Sequence, residues 1–233
     1  MAAAQLILNF EHRPALAGED FLVTPCNEDA VAWIDRWPDW PSVALVINGP
    51  VGCGKSHLAQ VFRAKSGAVS LSSDDLLKHE PPALLGEASA CLLDNMDQAF
   101  EDENNAGLEE ALLHLYNTVR ENGGLMMMTA KEPPARWPIS LPDLSSRLKT
   151  ATVAEIGSPD DALLTAVMVK QFADRQIMID GDVVAFVQAR IERSFDALGQ
   201  FVEATDKLAM MEKKRITVPL VRRVLQELNQ KDG

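Results

Sequence analysis

The sequence predicts an α/β domain with a five-stranded parallel sheet and helices on both faces, followed by a small α-helical domain. Five short apolar runs, each with the length of a buried strand, alternate with stretches that have the spacing of amphipathic helices. Strands and helices that alternate in this way form parallel sheets covered on both faces. The runs that predict strands are residues 43–48, 68–71, 90–94, 125–130 and 151–156.

The helices of the first domain have recognisable starts and stops. Asn27 predicts the N-cap of a helix that begins at residue 28 and that the Pro-rich segment 38–41 ends. Ser72 predicts the start of a second capped helix, and residues 108–122 have amphipathic helical spacing. These stretches are long enough to cover the two faces of the sheet.

After residue 157 the strand-like runs cease and the remaining segments have helical patterns. We therefore expect three parts: an N-terminal arm at 1–20, an α/β domain at 21–157 and a helical domain at 158–233. The predicted helices of the last part are residues 161–176, 180–191, 194–212 and 217–230.

Charge and composition exclude several classes of protein. The formal net charge is −12, and a nucleic-acid surface needs a concentrated basic face, so we expect no sequence-specific DNA binding. The three cysteines, Cys26, Cys53 and Cys91, have no paired metal-ligand spacing. No run approaches the ~20 apolar residues of a membrane helix, and the N-terminus lacks the basic start of a signal peptide. We expect a cytoplasmic protein that does not bind membranes.

The octapeptide GPVGCGKS at residues 49–56 is a complete phosphate-loop motif between a predicted strand and a predicted helix. Its glycines let backbone N–H groups face phosphate oxygens, Lys55 would reach the β and γ phosphates, and Ser56 would ligate Mg²⁺. A chance glycine-rich turn is the alternative, but the strand and helix context favours a nucleoside di- or triphosphate. The predicted nucleotide contacts are Gly49, Val51, Gly52, Cys53, Gly54, Lys55, Ser56, His57 and Asp94.

Asp94 ends an apolar strand, where a carboxylate that holds Mg²⁺ is expected. Ser56 and Asp94 are therefore the predicted magnesium residues. The next residue is Asn95, whose amide cannot accept a proton from water at neutral pH. Asp97 could substitute as a base, but its spacing predicts that it points elsewhere.

Several segments together resemble the AAA+ family of P-loop proteins. Residues 20–34 are similar to the opening segment of the bacterial replication initiator DnaA, and residues 128–134 resemble the sensor I strand of that branch. The Asp-Asn pair in LDNMD, the segment LPDLSSRL at 141–148 and the end of the chain at 213–228 resemble the Hda group of short DnaA homologues. The resemblance implies an AAA+ domain followed by a helical lid.

The resemblance also implies a function and roles for individual residues. Members of the Hda group hold ADP and place an arginine against the ATP of a neighbouring DnaA, which prevents re-initiation of replication. Arg147 in LPDLSSRL is the position of that arginine finger, acting in trans, and a surface arginine is the alternative. Lys131 stands at the sensor I position, and Asp196 stands where the family has its lid arginine, with Arg193 one turn earlier. These departures, with Asn95, imply a retained ADP or ATP and weak intrinsic hydrolysis.

The N-terminal arm contains QLILNF at residues 5–10, which is similar to the sliding-clamp-binding peptide of the Hda group. Gln5 would hydrogen-bond at the mouth of a pocket, and Leu6, Leu8 and Phe10 would supply apolar anchors on one face. An ordinary edge strand has the same alternation. The position near the terminus favours binding to the DNA polymerase sliding clamp, although Ile7 stands where such peptides often have a smaller or polar residue.

Two other functions are compatible with the pattern. One is a free-standing ATPase motor or loader with its own turnover, which Asn95 disfavours. The other is a nucleotide-gated adaptor that tethers DnaA or another client without catalytic contact. Whether the chain self-associates, and whether ADP or ATP is its working ligand, the pattern leaves open.

Overall fold

A computed structural model describes residues 23–102 and 107–230 of the chain. The described residues form two compact units. One comprises residues up to 50 and 54–157, and the other comprises residues 51–53 and 158 onward. The first is an α/β unit and the second is helical, which confirms the predicted fold class.

The α/β unit is built on a parallel sheet of five strands in the order β2-β3-β4-β1-β5. Three central strands are apolar runs whose residues are almost all buried, as expected for strands covered on both faces. The registers pair Leu45 of β1 with Met127 of β4, and Cys91 of β3 with Met126 of β4. The strands are β1 Ala44–Asn48, β2 Val69–Leu71, β3 Ala90–Leu93, β4 Leu125–Ala130 and β5 Thr152–Glu155.

Seven helices of the described α/β unit surround this sheet. Ser72 caps α3 in a full capping box, since its hydroxyl accepts the N–H of Asp75 and the Asp75 carboxylate accepts the N–H of Ser72. The helices are α1 Glu28–Asp35, α2 Lys55–Ser66, α3 Ser73–Lys78, α4 Pro81–Leu85, α5 Met96–Glu101, α6 Leu108–Glu121 and α7 Pro142–Leu148.

Asn27 occupies the N-cap position of α1, as predicted, but its side chain has another use. The Oδ1 atom accepts the N–H of Thr24 at 2.9 Å and makes no capping bond with the first turn of α1. The residue stabilises the turn that leads into the helix, because a buried polar side chain must be bonded somewhere. The predicted side-chain cap of α1 is wrong.

The core on the α6 side of the sheet joins the strands to α6 and α7. Met126 and Met128 are fully buried in β4, and they contribute to one cluster with Leu112, Leu115 and other leucines of these helices. On another part of the unit Trp40 stacks on Phe62 of α2, with ring centroids 5.3 Å apart. These contacts fix α6 against the strands, and α2 against the segment that precedes β1.

The helical unit packs four helices around its own apolar core. Phe172 and Phe201 are fully buried and meet edge to face at its centre, with centroids 6.3 Å apart. Asp160 and Ser194 cap two of the helices through their side chains. The helices are α8 Asp161–Asp174, α9 Gly181–Gln188, α10 Phe195–Glu212 and α11 Val218–Asn229. Among the described residues no helix is long and apolar enough to cross a membrane.

Candidate functional site

The phosphate-loop motif connects β1 to α2 at the carboxyl edge of the sheet. The N–H of Gly49 donates to the carbonyl oxygen of Ala130 at 3.2 Å, which ties the start of the loop to the neighbouring strand β4. Gly54 has φ 101°, a left-handed conformation that glycine adopts without a steric penalty, and it is the N-cap of α2. The loop therefore ends in a helix N-terminus, whose first N–H groups have no intrahelical acceptor and suit an anion.

Lys55 lies inside the curl of this loop. Its ammonium group donates to the carbonyl oxygens of Gly49 and Pro50 at 2.7 and 2.8 Å, and the residue is only 8% exposed. A buried cation surrounded by backbone carbonyl oxygens can exchange them for phosphate oxygens, which carry more negative charge. Ser56 and His57 follow on the first turn of α2 and are exposed.

Three more predicted nucleotide contacts lie at the tip of the loop. Val51 is 62% exposed and Cys53 is buried, while Gly52 has φ 69°. The left-handed conformation of Gly52 turns the chain sharply, so that successive backbone N–H groups can face one phosphate group.

Asp94 stands directly after β3, at the same edge of the sheet as the phosphate loop. Strand β4 lies between β3 and β1, and all three run parallel. The carboxylate and the loop are thus separated by two strand spacings, roughly 10 Å. That gap is wide enough for a phosphate group and its metal ion.

Thr129 is a site residue that the sequence analysis missed. Its buried hydroxyl donates to the Oδ1 atom of Asp94 and accepts the N–H of Asn95 at 3.0 Å. One β4 side chain therefore fixes both residues of the Asp-Asn pair. The signal in the sequence was slight: Thr129 is the lone polar residue of the apolar run LMMMTA.

Asn95 has a left-handed backbone, with φ 53° and ψ 46°, and is the N-cap of α5. Asparagine tolerates this conformation better than most residues, and the bond from its N–H to Thr129 maintains it. The residue after Asp94 thus presents an exposed amide and no carboxylate.

Asp97 is buried and has a structural role in binding the backbone that follows β4. Its Oδ2 atom accepts the N–H groups of Lys131 and Glu132 at 2.8 and 3.0 Å. Its Oδ1 atom is also buried and has no hydrogen-bond partner among the described residues. Asp97 is therefore directed at the loop that carries Lys131, whose side chain is exposed.

Arg147 lies in the last turn of α7 and is half-buried. The Cζ atom of its guanidinium lies 5.5 Å from the centroid of the Tyr116 ring, within the range of a cation–π contact. Its Nε atom is buried and has no acceptor in the part of the chain that the structure describes.

In the helical unit, Arg193 and Asp196 flank the N-cap of α10. Arg193 forms an ion pair with Asp161 at 3.1 Å and is largely exposed. Asp196 is exposed in the first turn of α10, where a negative charge is favoured. Both residues have local structural roles within this unit.

The residues of the loop, together with Asp94 directly after β3, fit a nucleotide with a hard cation. Across residues 23–102 and 107–230 no group of three or more His, Cys, Asp and Glu residues could hold a metal by itself. A hydroxyl from Ser56 and a carboxylate from Asp94 are oxygen ligands that suit Mg²⁺, which prefers to complete its shell with phosphates and water. The predicted clamp-binding residues Gln5, Leu6, Leu8 and Phe10 lie outside the described residues.

Comparison with known proteins agrees with this architecture. The family described as "Hda, lid domain" matches residues 161–225. An uncharacterised protein of Haemophilus influenzae is 24% identical over 186 residues, covering 76% of this chain and 79% of its own.

Several solved structures share the fold, and two of them illustrate it. Domain III of the Thermotoga maritima replication initiation protein DnaA superposes with a TM-score of 0.76 at 19% identity, covering 92% of this chain and 97% of that one. The AMPPCP-bound DnaA of Aquifex aeolicus superposes with a TM-score of 0.68 at 17% identity, covering 95% of this chain and 71% of that one. These comparisons confirm the predicted resemblance: the chain has the fold of domain III of DnaA, and its residues 161–225 are similar to the Hda lid domain.

Proposed function

We propose that this chain is a nucleotide-bound AAA+ regulator of replication initiation that promotes ATP hydrolysis on DnaA. In this proposal the arm binds the DNA polymerase sliding clamp, and Arg147 acts in trans as an arginine finger. DnaA converted to its ADP form would not start another round of replication. The Hda family lid and the DnaA-like fold support the choice of DnaA as the partner.

The observation that carries the proposal is a contrast between two parts of the site. The phosphate loop is complete, whereas Asn95 stands at the position where an acid that activates water is expected. The buried ammonium group of Lys55 and the left-handed Gly54 at the start of α2 support a nucleotide site. The position after Asp94 holds Asn95, whose backbone N–H is bound by Thr129 and whose side-chain amide is exposed, so an acid is absent at this described position. A protein built this way keeps nucleotide as a ligand and has weak turnover of its own.

The nucleotide in this proposal is ADP or ATP with Mg²⁺. Lys55 would bind the phosphates, and Ser56 and Asp94 would hold the cation. The cation would neutralise charge on the phosphate oxygens. The AMPPCP-bound DnaA with the same fold supports a nucleotide at this site.

The finger would act on the partner's nucleotide by stabilising charge that develops on the transferred phosphoryl group. Such an arginine is worth a factor of about 10³–10⁵ in rate. Among the described residues no acidic side chain forms an ion pair with Arg147. This supports a guanidinium available to an external anion.

The clamp-binding step would depend on the arm. Gln5 would hydrogen-bond at the pocket mouth, with Leu6, Leu8 and Phe10 as apolar anchors. Binding to a clamp on DNA would raise the local concentration of this chain near newly replicated DNA, so a weak contact with DnaA would suffice.

The experiment that tests the proposal measures phosphate release from ATP-loaded DnaA mixed with DNA-loaded clamp and this protein. We expect release to depend on both additions and to fall by at least a hundredfold with Arg147→Ala. Arg120→Ala is the matched control, since Arg120 is exposed in the last turn of α6. Gln5→Ala combined with Leu8→Ala should abolish the clamp dependence.

Other outcomes would identify the alternatives. Full stimulation by Arg147→Ala, with loss of stimulation by the Gln5→Ala and Leu8→Ala variant, would overturn the role of Arg147 as an arginine finger. The chain would then be an adaptor that tethers DnaA. Steady hydrolysis by the isolated protein at a rate similar to that of the mixture would indicate a self-hydrolysing motor or loader. No effect of adding the protein would remove DnaA as the client.

A further inference from the structure

Helix α7, which carries Arg147, is attached to α6 at both of its ends. Glu109 lies in the first turn of α6 and Tyr116 lies seven residues later. Seven residues are close to two helical turns, so both side chains are on the same face of α6. That face contacts the segment 140–148.

At the start of α7 the contact is polar. The Glu109 carboxylate accepts the N–H of Ser140 at 3.0 Å and the N–H of Leu141 at 2.5 Å. Leu141 is the N-cap residue of α7, and Pro142 after it has no N–H. A single carboxylate that binds two successive N–H groups fixes where the helix begins and the direction in which it leaves the loop.

Between the two ends the contact is apolar. Leu112 and Leu115 of α6 belong to the same buried cluster as Leu144 and Leu148 of α7, and each is 2% exposed or less. Close packing of this kind resists rotation of α7 about its own axis, because rotation would open a cavity in the core. The position of the Arg147 Cα atom is therefore set by α6.

At the end of α7 the contact reaches the guanidinium itself. The Tyr116 ring is 5% exposed, and the Arg147 Cζ atom lies 5.5 Å from its centroid. No acidic residue in the described ranges forms an ion pair with Arg147, and its buried Nε atom has no acceptor there. The ring is thus the contact that orients the guanidinium without neutralising it, since a carboxylate would compete with a phosphate for its donors.

We propose that Tyr116 and Glu109 are positioning residues for Arg147, which hold the finger in the geometry that a partner's nucleotide requires. This inference rests on the proposed function, because it assigns the two residues to the same trans-acting arginine. The sequence did not identify either residue. Both belong to an amphipathic helix whose apolar spacing explains Tyr116 as ordinary core.

The expected effect lies in the rate of stimulated hydrolysis and leaves the affinity unchanged. An ångström-scale displacement of a catalytic group costs up to about a hundredfold in rate. For Tyr116→Leu we expect kcat for DnaA-bound ATP to fall by about tenfold or more, with the concentration of this protein needed for half-maximal stimulation unchanged. Tyr116→Phe keeps the ring face and should restore the rate to within about twofold of the unmodified protein.

Glu109 supplies a second variant, which preserves the proposal's test if Tyr116→Leu fails to fold. Glu109→Leu should reduce kcat by about fivefold or more, and Glu109→Gln, which retains an acceptor oxygen, should reduce it less. Glu110→Leu is the matched control, because Glu110 is exposed on the next position of α6 and makes the same charge change. Every variant that folds should bind ADP as the unmodified protein does.

Two readouts separate failure of this inference from failure of the proposed function. In the Arg147→Ala background, adding Tyr116→Leu should cause no further loss of stimulation, because the ring acts only through the arginine. The NMR signal of the Arg147 Nε–H group should move on Tyr116→Leu and stay near its place on Tyr116→Phe, since the guanidinium lies over the Tyr116 ring.

Full stimulation by folded Tyr116→Leu and Glu109→Leu, alongside an inactive Arg147→Ala, would overturn the positioning roles and leave the proposed function intact. An Nε–H signal that does not respond to loss of the ring would overturn the contact itself. Full activity of Arg147→Ala would overturn the finger and with it the positioning roles, whatever the NMR signal shows.

Discussion

Replacing Asp97 with alanine should be one of the most destabilising single substitutions in the α/β unit. The residue is only 6% exposed, and its Oδ2 atom accepts two backbone N–H groups, those of Lys131 and Glu132. A hydrogen bond to a charged group is worth about 1.5–3 kcal/mol. Water can replace part of the bond at Lys131, so we expect Asp97→Ala to lower the free energy of unfolding by about 2–4 kcal/mol.

Urea unfolding followed by tryptophan fluorescence measures this effect for the α/β unit alone. All four tryptophans of the chain are in that unit, namely Trp33, Trp37, Trp40 and Trp137. Asp39→Ala is the control, because Asp39 is exposed, and its effect should stay within about 0.5 kcal/mol. A loss below about 1 kcal/mol for Asp97→Ala would refute the assignment of Asp97 to holding the loop after β4.

The remaining predictions concern the nucleotide site and a buried thiol. ADP should raise the melting temperature of the unmodified protein, because a ligand present at about 100 times its Kd stabilises the folded state by about 2.7 kcal/mol. Lys55→Ala should abolish most of that shift. Thr129→Val should weaken nucleotide binding more in Mg²⁺ than in EDTA, as measured by calorimetry, because it frees the Asp94 carboxylate. Burial raises the pKa of the Cys91 thiol from 9.0 to about 12, so unfolding releases a proton above pH 9. Stability should therefore fall by up to about 1.4 kcal/mol per pH unit between about pH 9 and 12, and Cys91→Ala should reduce that slope.

The sheet could be predicted from the sequence because each strand signal is local. A run such as LMMMTA has no polar face, and its short length favours a strand buried on both sides. The phosphate loop was equally local, since the motif, the strand before it and the helix after it are contiguous. The short helices α4 and α5 were not predicted, since five or six residues give too little periodicity to recognise.

The polar contacts of the site could not be predicted in the same way. Thr129 bonds Asp94 across 35 residues of sequence, and Asp97 bonds Lys131 across 34. Which acceptor meets which donor depends on the strand order, with β3 beside β4, and a single sequence does not specify that order. Asn27 shows the same limit at short range, because its position as N-cap was correct and its bonding partner was not.

Both of these long-range bonds are made at the carboxyl end of β4. Thr129 near its carboxyl end fixes Asp94, and the loop directly after it is held by Asp97. A ligand that binds Asp94 would therefore act on the carboxyl end of β4 through Thr129. The loop that carries Lys131 follows directly and is held by the buried carboxylate of Asp97. Thr129 also binds the backbone N–H of Asn95, and replacing Asn95 by an acid would keep that bond, because the Asn95 side chain takes no part in it. An acid introduced at Asn95 should for this reason leave the Thr129–Asp94 contact unchanged, and phosphate release by Asn95→Asp would then measure what the missing carboxylate contributes.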